Sequence, residues 1–272
     1  MKRLSLPLMT AVGLMGMPAL TACGSGSTDS ATSASAAMTP SASSTPSPSS
    51  TLSGTVTVLA AASLTESFTA LEKSFEAANP GVDVTISFGS SATLAQQIAQ
   101  GAPADLYASA GTKALDQLPA EAKAKPTTTL AKNVLEIATP PGNPKKVTGL
   151  ASLADASTNV VLCAETVPCG SAADAVLTKA GVTAHVVSRE VDVKATLAKI
   201  TLGEADAAIV YHSDVVAAGS KVEGVEIPAA QNTTRAYPLV RLTDTAATKA
   251  FADLLASAAG LKELEAVGFL AP

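Results

Sequence analysis

The chain has 272 residues, 18 Lys and Arg against 23 Asp and Glu, a formal net charge of −5, and 47% hydrophobic residues. That length suffices for one large domain or two small ones with real cores. The acidic balance lacks the basic footprint of a nucleic-acid binder, and two separated histidines with two close cysteines match no zinc spacing.

Lys2 and Arg3 open the chain, and an apolar stretch then runs to "LTAC" at Cys23. A basic head before a short apolar run marks an export signal. Pro7, Pro18 and the shortness of the run argue against a membrane-spanning helix. "LTAC" resembles a bacterial lipobox, so residues 1–22 are expected to be a signal peptide and Cys23 the lipidated first residue of the mature chain. Residues 23–52 consist mainly of Ser, Thr, Ala, Gly and Pro. Such a segment cannot bury enough apolar surface to offset its ordering entropy and reads as a disordered tether.

From residue 53 on, strand-like and helix-like runs alternate. "TVTVLA" (55–60) precedes a helical stripe of Leu64, Phe68, Leu71 and Phe75, which "NPG" (79–81) ends. "VDVTISF" (82–88) alternates like a strand, "SATLAQQIAQG" (91–101) is helical, and "ADLYASA" (104–110) is a third strand. This β-α-β-α-β order implies a parallel sheet with right-handed crossovers. The pattern resumes with strands at 133–139, 159–165, 184–190 and 205–212 and helices at 170–181 and 192–203. Two final helices are expected on either side of Gly260. Two α/β units in series place a cleft at the carboxyl ends of their strands, where such sheets bind ligands. Cys163 and Cys169, in "CAETVPC", form a disulfide or remain as buried free thiols; export favours the disulfide.

The strand-to-helix junctions share one chemistry. Ser63, with Glu66 three residues on, fits a capping box. Ser90 and Ser91 open the second helix, Pro168 precedes a Gly/Ser helix start, and Asp192 suits a cap with Val193 as the first helical residue. Tyr211 ends a strand. A helix start exposes N–H groups without intrahelical partners and a partial positive charge, so several starts converging with hydroxyls would hold an oxyanion.

"VLAAASLTESF", "SFGSSATLAQQIAQGAPADLYASA", "AAIVYHSD" and the final "VGF" resemble, in order across residues 55–270, the periplasmic or lipoprotein molybdate-binding components of ABC transporters. The resemblance implies a two-lobe periplasmic-binding-protein fold of type II, α/β in class, each lobe a mostly parallel sheet flanked by helices, with ligand in the interlobe cleft. Residues 53–132 with about 243–272 would form lobe 1, and about 133–242 lobe 2. It also implies that a tetrahedral dianion is held by neutral donors: the Ser63 and Ser91 side chains, the amides of Cys169 and Val193, and the Tyr211 phenol. Cysteine at 169 departs from the small residue usual there, a change that an amide donor tolerates. The implied protein is a monomeric, non-enzymatic carrier without a cofactor, whose only metal is the molybdenum of the anion. It would be tied to the bacterial membrane by lipid and would deliver molybdate, and tungstate, to a permease and its ATPase.

Two other readings compete. A serine hydrolase needs a base beside Ser63, and only His185 and His212 exist in a chain without a G-x-S-x-G elbow there. The same fold could take sulfate or a small organic acid, the latter through an arginine clamp drawn from Arg189, Arg235 or Arg241.

Overall fold

The computed structural model describes residues 52–272; the expected signal peptide, Cys23 and almost all of the expected tether lie outside the described residues. Strands β1 (Gly54–Ala61), β2 (Val82–Gly89) and β3 (Leu106–Ala108) are parallel, with β1 between the other two. Helices α1 (Thr65–Ala78) and α2 (Ser91–Ala99) make the crossovers. The last four residues of β1 are all buried, as expected where helices cover both faces of a parallel sheet. The stripe of α1 packs inward as its spacing requires, with Phe68, Leu71 and Phe75 buried.

A short helix α3 (Ala120–Lys123) leads into β4 (Thr127–Thr139), the strand that joins the two halves. Beyond it come β5 (Val160–Cys163), α4 (Pro168–Ala180), β6 (Val186–Glu190), α5 (Val193–Thr201), β7 (Ala207–Tyr211) and α6 (His212–Ala218). Then β8 (Glu223–Glu226) and β9 (Thr234–Arg241) precede α7 (Ala246–Leu255) and α8 (Ala258–Ala266). The strand order is β2-β1-β3-β9-β4-β7-β5-β6, with β8 also on β4. This is the two-lobe α/β binding-protein architecture. Strands β5, β6 and β7 repeat the parallel core of the first lobe, and the pairings of β4 with β7, β8 and β9 are antiparallel.

Strand β4 changes partners midway. Residues Thr127 to Val134 pair with β9, and Leu135 to Thr139 pair with β7 and β8. At that handover Asn232 takes the place of a strand neighbour: its Oδ1 accepts from Leu135 N at 3.1 Å and its Nδ2 donates to Leu135 O at 2.8 Å. Strand β9, absent from the sequence reading and expected within the second lobe, instead pairs with β3 and the first half of β4, so this segment belongs with the first sheet. Its Pro238 removes a ladder donor from an inner strand. The β4 register slips between Thr129 and Ala131 opposite it, and this bulge accommodates the missing N–H.

Two local expectations are corrected. Ser63 does not cap α1: it lies in a single 3-10 turn, Ala62–Leu64, and the N-cap Leu64 makes no side-chain bond. Gly260 does not separate the last helices but lies in the first turn of α8, where an added Cβ would strike the carbonyls of Leu254 and Leu255. The break falls at Ser257, whose Oγ accepts from Gly260 N at 3.1 Å. No helix among the described residues is long and apolar enough to cross a membrane.

Cys163 and Cys169 are joined as a disulfide between the end of β5 and the first turn of α4. Closing so short a loop contributes about 2 kcal/mol in the chain-entropy account. The double variant Cys163→Ala/Cys169→Ala should therefore lose about 2 kcal/mol in urea unfolding, and reducing agent should shift the wild type by a similar amount while leaving the variant unchanged.

Candidate functional site

The five expected donors line one cavity, of about 230 Å³ including its open mouth. Ser63 and Ser91 come from the first lobe, and Cys169, Val193 and Tyr211 from the second. All five are buried. Each arrives at the carboxyl end of a strand, where the chain turns into a helix. In α2, α4 and α5 the first-turn amides have no intrahelical acceptor, so Ser91, Cys169 and Val193 each bring an N–H that needs a partner. Gly170 lets α4 begin hard against β5: a Cβ there would overlap the carbonyls of Cys163 and Ala164.

The hydroxyls are oriented from behind. Ser91 Oγ accepts from Ala110 N at 2.9 Å, which leaves its own proton for the cavity, and the Tyr107 phenol donates to Ser91 O at 2.7 Å. Ser63 Oγ lies 2.9 Å from the Tyr237 hydroxyl. Burial pushes the phenols of Tyr237 and Tyr211 well above their ordinary value, so both remain protonated donors. The hydroxyls of Tyr211 and Ser90 are buried and make no hydrogen bond among the described residues. Both lie on the cavity wall. A buried unmade hydrogen bond costs roughly 1–3 kcal/mol, and a ligand acceptor would relieve it at both.

No lysine or arginine lines the cavity, and its one carboxylate, Asp192, already accepts from Ala195 N at 2.9 Å as the cap of α5. Glu66 points elsewhere. Both of its oxygens accept from Lys194 Nζ at 2.8 Å, tying the start of α1 to α5 across the two lobes. Lys194 also lies 3.1 Å from Asp214 Oδ1, and Asp214 Oδ2 accepts from Tyr211 N at 3.2 Å. The lysine is thus neutralised by two carboxylates, one of which positions the backbone of Tyr211. Glu165 lies outside the cavity and reaches Arg189 at 3.5 Å.

The hydrolase reading finds no support here. The hydrogen-bond partner of Ser63 is a tyrosine, and neither histidine lines the cavity. His185 lies 3.3 Å from Thr158 O, and His212 lies 2.6 Å from Glu136 Oε2. No group of three or more metal-ligating side chains occurs among the described residues. Sequence reasoning missed Tyr237, Lys194 and Asp214, because their parts depend on contacts across 174, 128 and 20 residues. The pair Ser90-Ser91 was visible, but nothing in the sequence shows that the first hydroxyl also lies on the wall.

Residues 56–270 match the family described as bacterial extracellular solute-binding protein. The molybdate-binding protein ModA of Mycobacterium tuberculosis (strain H37Rv) is 37% identical over 265 residues, 96% of each chain. The periplasmic molybdate-binding protein of Azotobacter vinelandii has a similar structure, with TM-score 0.67 at 20% identity, covering 80% of this chain and 99% of its own. The sulfate-binding protein SubI of Mycobacterium tuberculosis H37Rv has TM-score 0.68 at 21% identity, covering 79% of this chain and 86% of its own. At such identities the last two show a shared fold.

The ion cluster around buried Asp214 generates two predictions. Burial pushes the Asp214 carboxyl up to about 6 although Lys194 pulls it down. The folded state then holds that proton more tightly than the unfolded chain, so stability falls as pH rises from about 4 to about 6 and levels off above. Asp214→Asn should flatten that slope, as measured by urea midpoints across the range. Lys194→Met should leave Asp214 buried without its cation and cost about 2–4 kcal/mol at neutral pH. Adding Asp214→Asn should recover part of that loss in a double-mutant cycle.

Proposed function

This chain belongs to the bacterial extracellular solute-binding protein family, and from that premise we propose that its cavity captures molybdate, and tungstate with it, for delivery to an ABC permease. The observation that carries the reading is the meeting of Ser63, Ser91, Cys169, Val193 and Tyr211 around one small space without a cationic side chain. The cavity is small, about 230 Å³ even with its open mouth counted. Hydroxyl and amide donors on every side suit a tetrahedral oxyanion with many acceptor oxygens. Hydrogen bonds to a charged group contribute about 1.5–3 kcal/mol each, enough in number to replace a dianion's hydration. Dipoles rather than a point charge keep the anion releasable. The similarity to ModA at 37% identity over nearly the whole chain selects molybdate among oxyanions of this shape. Size then separates it from sulfate, whose bonds to oxygen are shorter.

The protein acts as a carrier without catalysis and needs no cofactor. Cys23 carries the lipid, residues 23–52 form the tether, and the folded part works as a monomer at the outer face of the membrane. The donors divide between the lobes, so anion capture and lobe closure are one event, with the Lys194–Glu66 pair closing behind the ligand. The lobes divide where β4 changes partners: residues up to 134 and from 234 on form the first, and the residues between form the second.

Calorimetric titration should give tight binding of molybdate and tungstate and weak or absent binding of sulfate and phosphate; sulfate binding as tight as molybdate would reassign the ligand. Ser91→Ala and Ser63→Ala should each weaken molybdate binding about 10- to 100-fold, the equivalent of one charged hydrogen bond, with little change in melting temperature. Wild-type affinity in both variants would remove the cavity from the mechanism.

A further inference from the structure

A second chamber, of about 430 Å³ with its open mouth, adjoins the anion cavity and shares Ala110, Val167 and Pro168 with it as a common wall. Its other residues come from both lobes, with Lys113 and Arg235 on one side and Glu165 on the other. It therefore lies in the cleft, beside the place where the donors meet.

Arg235 is the unusual member. The other two described arginines are engaged: Arg189 donates to Asp174 at 2.8 and 3.2 Å, and Arg241 Nε reaches Asp244 at 3.1 Å. Among the described residues Arg235 has no carboxylate within ion-pair distance, and its Nε is buried without a hydrogen-bond partner. Its stem runs beside the backbone of Gly111, within about 4 Å of where a Cβ would be. Lys113, exposed at the chamber, also has no ion pair. The guanidinium's field extends to the anion cavity: burial raises the Tyr211 phenol, and Arg235 is the largest influence opposing that rise. Arg235 is half-buried with its Nε withdrawn from solvent, so an anion that visits the chamber would supply the partner this nitrogen lacks.

We propose that this chamber is the entry site for the anion: Arg235, with Lys113 beside it, draws a doubly charged oxyanion into the cleft, and the neutral donors then take it over. The division of labour follows from what each group does well. A cation at the mouth raises the local anion concentration and the association rate. A cation in the final site would hold the anion too strongly for release. Glu165 on the opposite side shares Arg189, at 3.5 Å, with Asp174, so the chamber's own lining carries two cations, Arg235 and Lys113, against one exposed carboxylate. This inference rests on the oxyanion reading of the cavity.

The test is the kinetics of molybdate binding, followed by stopped-flow tyrosine emission; the chain has no tryptophan, and Tyr211 lines the cavity. Rates are compared from about 0.01 M to about 0.15 M salt, over which the screening length falls from about 30 Å to about 8 Å. The wild-type association rate should fall with salt. Arg235→Gln should associate roughly tenfold more slowly at low salt, the lower end of steering effects, with a flatter salt dependence and an unchanged dissociation rate. Arg235→Lys should retain most of the rate. Lys113→Gln, at an exposed position where folding is not at stake, should lower the rate by a smaller factor. Unchanged association in Arg235→Gln, or in Lys113→Gln should the first variant not fold, overturns the entry site. So does an Arg235→Gln defect confined to dissociation, which would place Arg235 on the bound anion. In both cases calorimetric binding by the wild type leaves the cavity reading intact, whereas a wild type that binds none of the oxyanions overturns both.

Discussion

A helix cannot hydrogen-bond its own first amides, and this chain aims several of its helix starts at one point. The starts of α2, α4 and α5, the 3-10 turn before α1 and the residue that precedes α6 all reach the same cavity. The first amides of α2, α4 and α5 have no acceptor within their own helix, whereas the Tyr211 amide is held by Asp214 and that residue brings its hydroxyl instead. Two hydroxyls, those of Ser90 and Tyr211, are left in the same condition by burial. The remaining architecture holds these unsatisfied groups close together, where a ligand rich in acceptors would relieve them.

Two mixed sheets, each with a parallel core, do that holding because β4 runs antiparallel through both. Its first half pairs with β9 and its second with β7 and β8, so the carboxyl ends of two sets of parallel strands face one cleft. Asn232 supplies the hydrogen bonds of a missing strand at the handover. Charge is kept at a distance from the donors. Lys194 lies one residue beyond Val193, yet Glu66 and Asp214 neutralise it, and Asp214 spends its other oxygen on the amide of Tyr211. The ion cluster thus connects the lobes and fixes a donor without placing a point charge on the anion.

Much of this was legible in the sequence. The apolar stripe of α1, the parallel order of β1, β2 and β3 and the Asp192 cap follow from local pattern and are present, and of the two states left open for Cys163 and Cys169 the structure has the disulfide. The reading faltered where local pattern misleads. Ser63 and Glu66 have the spacing of a capping box, but a tyrosine 174 residues away takes the serine and a lysine 128 residues away takes the glutamate. Pro238 disguised an inner strand, since the bulge that tolerates it lies on another segment. Gly260 looked like a helix stop and is a point of close contact between α7 and α8.

What the sequence determined by itself was the set of parts: which segments become strands and helices, which small polar residues open each helix, and which family they resemble. Those properties depend on neighbours within a few positions, through periodicity, capping and turn chemistry. The tertiary structure alone decided that five residues between Ser63 and Tyr211 share one wall, that Tyr237 supports the first of them, and that Arg235 beside them has no carboxylate partner among the described residues. These are contacts between residues far apart in the chain, and they exist only once the strand order places one helix start opposite another.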